Sequence, residues 1–263
     1  MTGNWDPDEP QLSMLHAEVE GHGPRLVLVH GFAQTQACWG PVAADLTVDH
    51  EVCRVDAPGH GGSSEFFAGL RTGARLIADQ GGTATYLGYS MGGRFLLHVA
   101  LANPELVRGL VLVGATAGID DPEERAERRR VDEAMASRLE RDGLTAFLDA
   151  WLAQPLFAGL SDAMQFREER AANTVDGLAE SLRQAGTGSQ DPLWDRLHRI
   201  EVPVLVVAGE LDEKFTVAGR RIVESIGANA ELAVVGGTGH AAHLEDPDAF
   251  LAILRPWLAN HRL

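Results

Sequence analysis

The sequence predicts an α/β fold in which a mostly parallel β-sheet is flanked by helices. Short apolar runs rich in Val and Leu alternate with helical patterns along the chain, and glycine-rich turns follow several of these runs. Strands separated by helices pair in parallel and are covered on both faces, which explains why the runs are continuously apolar. The length of 263 residues suffices for one large domain with an insertion.

The predicted strands are assigned from β-branched and leucine-rich runs bounded by turn residues. The second run leads into the glycine-rich turn APGHGGSS. The predicted strands are residues 25–29, 52–56, 84–89, 110–113, 204–207 and 232–235.

Two helices are predicted from apolar stripes at helical spacing, over residues 94–103 and 246–259. Between the strands that end near Gly114 and begin near Val204, about ninety residues contain no strand pattern. They are predicted to form three or four helices, beginning at DPEERAERRRVDEAMASRLERDG. We therefore expect a first part of the core at 1–117, a helical lid at 118–203 and a second part of the core at 204–263.

Charge and composition exclude several classes of function. The chain has 22 basic and 38 acidic residues, a net charge of −16, which argues against nucleic acid or an anionic membrane as partner. The segment MTGNWDPDEPQL has no signal-peptide pattern, and no apolar run approaches the length of a membrane span, so we expect a cytoplasmic protein. Cys38 and Cys53 cannot form a disulfide scaffold or a four-thiolate zinc site, and are expected to be buried thiols.

The strongest chemical signal is the segment Gly88-Tyr89-Ser90-Met91-Gly92, which matches the pattern G-x-S-x-G. It lies where a predicted buried strand ends and a predicted helix begins, as a nucleophilic serine on a tight turn requires. The alternative is a serine that only fills a glycine-rich turn. The context favours Ser90 as the reactive group.

A serine hydroxyl needs a base, and the base needs an orienting acid. Asp212, in GELDEKF, follows one predicted strand, and His240, in GTGHAAHLEDP, follows the last one. Both therefore lie at the carboxyl ends of parallel strands, where open α/β sheets have their active sites. Glu210 and His243 remain alternatives, although Asp212 lies further out on its loop and His243 is close to the start of the last helix.

Negative charge that develops on an oxygen must be met by fixed donors. The amide of Met91 is one candidate, and the amide of Phe32, in the loop after the first predicted strand, is the second. Two nearby histidines, His30 and His60, are expected to hold turns rather than to react.

Arginines near the serine suggest an anionic ligand. Arg94 lies in the first turn of a helix, where a cation opposes the helix dipole, so either a buried acidic partner or a substrate anion should compensate it. In the first helix of the insertion, an apolar stripe of Val131, Met135 and Leu139 directs Arg128 inward. Arg129 is instead expected on a solvent-exposed face paired with acidic residues. That all six arginines between residues 125 and 141 are solvated remains an alternative.

The segments HGF, DAPGHGGS, GYSMGG, GELD and GTGH together resemble the α/β-hydrolase superfamily over the whole chain. The resemblance implies an α/β-hydrolase fold, a mostly parallel sheet flanked by helices with an inserted helical lid. It also implies a catalytic triad of Ser90, Asp212 and His240. Serine at the nucleophile position differs from the branches that use aspartate there, the haloalkane dehalogenases and epoxide hydrolases.

A narrower resemblance comes from GYSMGGR, EERAERRR, FLDAWLAQPLF and GELDEKF. These segments are similar to the 2-succinyl-6-hydroxy-2,4-cyclohexadiene-1-carboxylate synthase family of menaquinone biosynthesis. Arg129 departs from the family versions that have an aromatic residue at that position, which leaves open which arginine points inward. The resemblance implies that the following residues bind substrate: Tyr89, Arg94, Arg128, Trp151, Arg170, Lys214 and Phe215.

The family resemblance implies a lyase that eliminates pyruvate from 2-succinyl-5-enolpyruvyl-6-hydroxy-3-cyclohexene-1-carboxylate. The expected ligand is this small polycarboxylate, with no cofactor, no metal and no nucleic acid. One alternative is a hydrolase of esters, lactones or carbon–carbon bonds with Ser90 as covalent nucleophile. A member of the fold that binds a ligand without catalysis is the third possibility.

Overall fold

The structure is a computed structural model that describes residues 14–263; the segment MTGNWDPDEPQL, discussed above for its lack of a signal-peptide pattern, lies outside the described residues. Seven strands form one sheet in the order β1-β3-β2-β4-β5-β6-β7. The strands are β1 (Ala17–Gly21), β2 (Arg25–Val29), β3 (Glu51–Val55), β4 (Ala84–Tyr89), β5 (Val107–Val113), β6 (Val204–Gly209) and β7 (Ala230–Val235).

The six strands predicted from the sequence are confirmed, and they pair in parallel throughout. The additional strand, β1, pairs antiparallel with β3 at the edge of the sheet. It was not predicted because most of its residues are exposed, so that AEVEG carries no apolar run.

Helices connect the successive parallel strands from β2 to β7, as a parallel sheet requires, and the last two helices follow β7. Within residues 14–263, no helix combines the length and the apolar character needed to cross a membrane. The α-helices are α1 (Gly40–Leu46), α2 (Leu70–Gly81), α3 (Met91–Ala102), α4 (Pro122–Asp142), α5 (Leu144–Leu152), α6 (Arg167–Arg170), α7 (Val175–Ala185), α8 (Glu213–Ile226), α9 (Ala242–Glu245) and α10 (Pro247–His261). Short 3-10 turns lie at Gln36–Trp39, Gly61–Ser63, Pro104–Leu106, Pro155–Phe157, Asp162–Gln165, Thr187–Ser189 and Trp194–Arg199.

The sheet has one apolar core on each face. Side chains alternate along a strand, so Val27 of β2 packs into one core and Leu28 into the other, and both are fully buried. The first core is covered by α2, α3 and α8, and the second by α1, α9 and α10. The sheet is therefore buried on both faces, as the continuously apolar runs predict.

The segment between β5 and β6 contains α4, α5, α6 and α7 and no strand, in agreement with the expectation of three or four helices. Its helices share an apolar cluster to which Leu139, Phe147 and Leu178 contribute. Ala33, in the loop after β2, belongs to the same cluster. The segment therefore packs against the carboxyl edge of the sheet.

The two cysteines are buried and free, as predicted. Cys38 lies in a 3-10 turn and Cys53 in β3. Burial raises the pKa of both thiols, which favours the protonated and unreactive form.

Candidate active site

Three polar side chains from three different strand ends meet at the carboxyl edge of the sheet. Ser90 follows β4, Asp212 follows β6 and His240 follows β7. Nε2 of His240 lies 3.1 Å from Oγ of Ser90, and Nδ1 of His240 lies 2.7 Å from Oδ2 of Asp212. This chain of hydrogen bonds allows the imidazole to take a proton from the serine while the carboxylate orients the ring.

Ser90 lies on a strained turn between β4 and α3. Its φ of 50° and ψ of −105° are unusual for a residue with a side chain. Its amide donates to the carbonyl of Val113 at 2.8 Å, which holds the turn against β5. At Gly92, a Cβ atom would lie 2.0 Å from the carbonyl oxygen of Val29, so only glycine permits this close approach.

The alternative acid and base lie elsewhere. Glu210 is exposed, and its Oε2 accepts from the amide of Gly237 at 2.8 Å. The ring of His243 is buried, with centroids 4.8 Å from that of Trp39 and 4.5 Å from that of Tyr89. Burial, followed by the charge of His240, lowers the pKa of His243 to about 3, so His243 is neutral at pH 7.

Two backbone amides are available near Ser90. Among residues 14–263, neither the amide of Phe32 nor that of Met91 donates a hydrogen bond to another group of the protein. Met91 is the first residue of α3, where amides have no intrahelical partner. The loop of Phe32 is held by Gln34, whose Oε1 accepts from the amide of Gly31 at 2.9 Å.

The two histidines of the neighbouring loops are bonded to backbone groups, as expected for residues that hold turns. Nε2 of His30 accepts from the amide of Ala57 at 3.0 Å, and Nε2 of His60 accepts from the amide of Ala33 at 3.2 Å. Burial is the main cause that lowers the pKa of His30 to about 4 and that of His60 to about 3. Both rings are therefore neutral hydrogen-bond acceptors at pH 7.

A cavity of about 170 Å³ opens onto Ser90 and His240. Its apolar wall includes Trp151, whose ring centroid lies 5.2 Å from that of Phe32 and 5.5 Å from that of Phe157. Asp212 lies behind His240 and does not line the cavity. All other residues predicted for the site do: Phe32, Tyr89, Ser90, Met91, Arg94, Arg128, Trp151, Arg170, Lys214, Phe215 and His240.

Arg94 and Arg170 are buried in the cavity wall with no carboxylate beside them. Arg94 is 7% exposed and donates to the carbonyl of Ala185 at 2.7 Å; Arg170 is 1% exposed and donates to the carbonyls of Gln165 and Ala33 at 2.7 and 2.9 Å. Among residues 14–263, no acidic oxygen lies within 4.0 Å of either guanidinium. Burial lowers the pKa of Arg94 to about 10 and that of Arg170 from its usual value.

The cavity wall formed by α4 differs from the prediction in two respects. Val131 is exposed, and the inward face instead carries Asp132, Met135 and Leu139 with Arg128 at its end. Arg129 is exposed as predicted, but it donates to the carbonyl of Gly188 and not to an acidic partner. The pairing predicted for Arg129 was wrong because the two acidic residues at the right spacing have other partners: Asp132 pairs with Arg128 and Glu133 with Arg183.

The inward cation of α4 is Arg128, and Asp132 is its partner. Nε of Arg128 donates to Oδ1 of Asp132 at 2.7 Å, and Oδ2 of the same carboxylate accepts from the amide of Gly188 at 3.1 Å. Asp132 is 1% exposed, whereas the side chain of Arg128 is 35% exposed, so the carboxylate is shielded from water and the guanidinium only in part. At the opposite side, the exposed Lys214 lines the cavity from the first turn of α8.

Three residues with a part in the site were not predicted for it: Gln34, Asp132 and Glu245. Asp132 carried a usable signal, since it lies four residues after Arg128 on the same helix. Glu245 accepts hydrogen bonds from two amides in the loop of His240. Its position five residues after His240 gives no signal of these contacts in the sequence, because they depend on how the loop folds.

Comparison with known proteins agrees with this geometry. The alpha/beta hydrolase family matches residues 26–253. The chain is 34% identical to the 2-succinyl-6-hydroxy-2,4-cyclohexadiene-1-carboxylate synthase of Klebsiella pneumoniae (strain 342), over 90% of this chain and 94% of the relative. It is 33% identical to the synthase of the same name from Salmonella heidelberg (strain SL476), over 92% of this chain and 99% of the relative.

Among solved structures, that of MenH from S. aureus superposes with a TM-score of 0.87 and 30% sequence identity. The match covers 95% of this chain and 100% of that chain. The sequence and the fold thus lead to the same group of proteins. The chain belongs to the alpha/beta hydrolase family, and within that family it is similar to the 2-succinyl-6-hydroxy-2,4-cyclohexadiene-1-carboxylate synthases.

Proposed function

We propose that this protein is a lyase that forms 2-succinyl-6-hydroxy-2,4-cyclohexadiene-1-carboxylate by elimination of pyruvate. The substrate is 2-succinyl-5-enolpyruvyl-6-hydroxy-3-cyclohexene-1-carboxylate, and the reaction belongs to menaquinone biosynthesis in the cytoplasm. The observation that carries the proposal is the pair of buried guanidinium groups, Arg94 and Arg170, in a cavity that also contains Ser90. The similarity to the synthases supports the same reaction.

The cations of the cavity suit a substrate with several carboxylates. A buried guanidinium without an anionic partner is costly, and a substrate carboxylate bound in the planar fork of the arginine would compensate it. The proposed substrate carries three carboxylates, and the cavity offers Arg94, Arg128, Arg170 and Lys214. The whole chain has a net charge of −16, so these cations form a local positive cluster in an otherwise acidic protein.

In the proposed mechanism, His240, oriented by Asp212, takes the proton of Ser90. The serine oxygen then removes the proton from the ring carbon next to the succinyl ketone, and the electron pair of that C–H bond forms an enolate. The amides of Phe32 and Met91 stabilise the negative oxygen of this enolate. Ser90 acts as a base because carboxylates clamped by the arginines hold a C–H group in front of it.

The enolate then collapses through the ring. Its electrons form a double bond beside the ketone carbon, the ring double bond moves by one position, and the carbon–oxygen bond to the enolpyruvyl group breaks. The leaving enolate of pyruvate takes up a proton, so that the products are the conjugated diene and pyruvate. No acyl-enzyme is required.

Residues 118–203 would serve as the lid of this site. The segment supplies about half of the residues that line the cavity, among them Arg128, Trp151 and Arg170. A lid that carries both cations and aromatic rings would bind the polycarboxylate and exclude water from the enolate.

The test is to supply the enolpyruvyl substrate to the purified protein and to measure two products. Pyruvate is followed with a coupled dehydrogenase, and the diene by the rise of its ultraviolet absorbance. The proposal requires both products in equal amounts. Arg94→Gln should abolish most of this activity, whereas Arg130→Gln, in an exposed arginine paired with Glu127, is the matched control and should leave it unchanged.

A serine hydrolase is the second candidate, favoured by the same 3.1 Å contact between His240 and Ser90 and by the two available amides. These groups would equally activate Ser90 for attack on an ester carbonyl. A burst of product from activated esters, with neither pyruvate nor diene from the enolpyruvyl substrate, would replace the lyase by the hydrolase. Binding of the substrate with no turnover of either kind would indicate a binding protein.

A further inference from the structure

We infer that Glu245 is a positioning residue for His240 and that it couples the loop of His240 to the helical segment between β5 and β6. The inference rests on the proposed role of His240 as the base. It concerns a carboxylate that touches neither Ser90 nor the cavity, and that acts through the backbone on either side of the histidine.

The contacts of Glu245 bracket His240. Oε2 of Glu245 accepts from the amide of Gly239 at 2.7 Å, and Oε1 accepts from the amide of Ala241 at 3.1 Å. Both bonds are charge-assisted and therefore stronger than bonds between neutral groups. One carboxylate thus fixes the peptide groups before and after His240, and with them the direction in which the imidazole leaves the backbone.

The orientation of His240 depends on this fixation because the polar contacts of its ring are confined to the two nitrogens. Its two nitrogens are bonded to Asp212 and Ser90, and the ring lies against that of Phe215 with centroids 4.4 Å apart. A rotation of the loop backbone would shift Nε2 away from the serine oxygen. Displacements of about 1 Å at a reacting group can lower a rate by about 100-fold.

The same carboxylate lies against the helical segment. A Cβ atom at Gly159 would be 1.9 Å from Oε2 of Glu245, so the turn after Phe157 packs directly on the carboxylate because residue 159 is glycine. A second, small opening is lined by Leu156 and Gly159 together with His240 and Glu245. A movement of this turn would therefore be transmitted to the loop of His240.

The coupling has a functional consequence. The loop of His240 is held in its reactive orientation when the turn at Gly159 packs against the carboxylate of Glu245. The helical segment, which carries part of the cationic pocket, thus also contributes to the alignment of the base with Ser90.

The test uses Glu245→Gln and Glu245→Ala and measures the rate at which a fluorophosphonate modifies Ser90. This reaction needs the aligned serine and histidine but not the polycarboxylate substrate. Glu245→Ala should lower the rate about ten- to hundredfold. Glu245→Gln, which keeps one acceptor oxygen, should lose less. In diene formation kcat should fall with KM unchanged, because the cationic pocket is untouched.

Two further variants separate positioning from a general loss of structure. Gly159→Ala should reproduce the effect of Glu245→Gln, because the added methyl group displaces the carboxylate. Glu210→Gln is the matched control, since this exposed carboxylate accepts from the amide of Gly237 in the same loop but does not flank His240. It should react at the wild-type rate.

A proton NMR signal of Nδ1–H of His240, shifted far downfield by its bond to Asp212, provides the spectroscopic readout. It should weaken in Glu245→Ala and persist in Glu210→Gln. An unchanged signal and unchanged phosphonate rate in Glu245→Ala, or a rise in KM with constant kcat, would overturn the inference. If the wild-type protein reacts with the phosphonate but makes no pyruvate, the proposed function fails while the role of Glu245 can still be measured.

Discussion

The two walls of the cavity are held by different means. Along the sheet edge, backbone geometry sets the positions of the proposed reacting groups: Ser90 follows β4 directly, and its amide donates to the carbonyl of Val113 in the adjacent strand. Along the helical segment, side chains hold the charged groups, as in the pair of Arg128 with Asp132. The positions of the proposed catalytic groups are thus fixed by strand topology, whereas the charges that would select the substrate depend on individual side-chain contacts.

The two buried arginines lie where these walls meet. Arg94 belongs to α3 beside the sheet and donates to the carbonyl of Ala185 in α7, while Arg170 belongs to the helical segment and donates to the carbonyl of Ala33 after β2. Each guanidinium therefore connects one wall to the other through a neutral acceptor. Neither guanidinium is in contact with a carboxylate of the protein, so a ligand anion would be stabilised by both walls together.

The largest expected effect comes from removing the serine hydroxyl group at the sheet-edge wall of the cavity. Ser90→Ala removes the proposed base and should lower kcat for pyruvate release by about 10³-fold or more. KM should change little, since the cations remain. Steady-state kinetics check this, with the exposed Ser137→Ala of α4 as a control that keeps full activity. Turnover by Ser90→Ala at the wild-type rate would contradict the assignment of the reacting group.

The next largest effect on activity comes from removing the positive charge of Arg94, which lies where the two walls of the cavity meet. Arg94→Gln should lower kcat/KM for the polycarboxylate by about 100-fold, close to the loss of one charge-assisted contact in a buried site. Reaction of Ser90 with a neutral fluorophosphonate should change less than threefold, because the triad does not depend on this charge. Equal losses in both assays would mean that Arg94 supports the fold and not the selection of the ligand.

The two walls also differed in how far they could be predicted from the sequence. The strand ends and the residues after them could be predicted because local signals set them: apolar runs, glycines around Ser90, and loops that follow β6 and β7. The inward direction of Arg128 was predicted through a stripe that began at Val131, yet Val131 is 45% exposed. Periodicity treats a charged residue as outward, and Asp132 is buried because Arg128 and Gly188 satisfy its oxygens.

Contacts between segments that are distant in the chain were not predicted either, because local sequence patterns do not indicate them. The bond from Arg170 to Ala33 joins residues 137 positions apart, and no local pattern indicates it. The edge strand β1 lacked an apolar run because it is largely exposed. The family resemblance supplied the candidates for the cationic wall, and only the folded chain showed which acceptors hold them.

A smaller effect is expected from weakening the helical wall. Asp132→Ala removes the acceptor of both Arg128 and the amide of Gly188, and should lower the free energy of unfolding by about 2 kcal/mol. KM for the polycarboxylate should rise as Arg128 loses its orientation, with kcat little changed. Denaturant unfolding and kinetics test both effects. Asp142→Ala, whose carboxylate pairs with Arg138 and Arg141 near the surface of the same helix, should change stability by less than about 0.5 kcal/mol.

The smallest effect at neutral pH concerns His243, which lies in α9 three residues after His240. His243 is buried between Trp39 and Tyr89, and burial lowers its pKa to about 3, against about 6.5 in the unfolded chain. Between these two values the unfolded state binds a proton that the folded state does not. The folded state is therefore destabilised as pH falls from about 6.5 towards 3, by about 1.4 kcal/mol per pH unit for this residue.

His243→Phe should remove that contribution. Stability at pH 7.5 and the rate of pyruvate release should stay close to wild type, since His243 is neutral there and contacts aromatic rings. Between pH 6 and 4, the slope of the unfolding free energy against pH should become shallower by up to about 1.4 kcal/mol per pH unit, while His30, His60 and His98, whose pKa values are also lowered by burial, maintain the remainder. Urea titrations at several pH values measure this slope. An unchanged slope would mean that His243 binds its proton over the same pH range in the folded and unfolded states, and its assignment as a neutral, structural residue would be wrong.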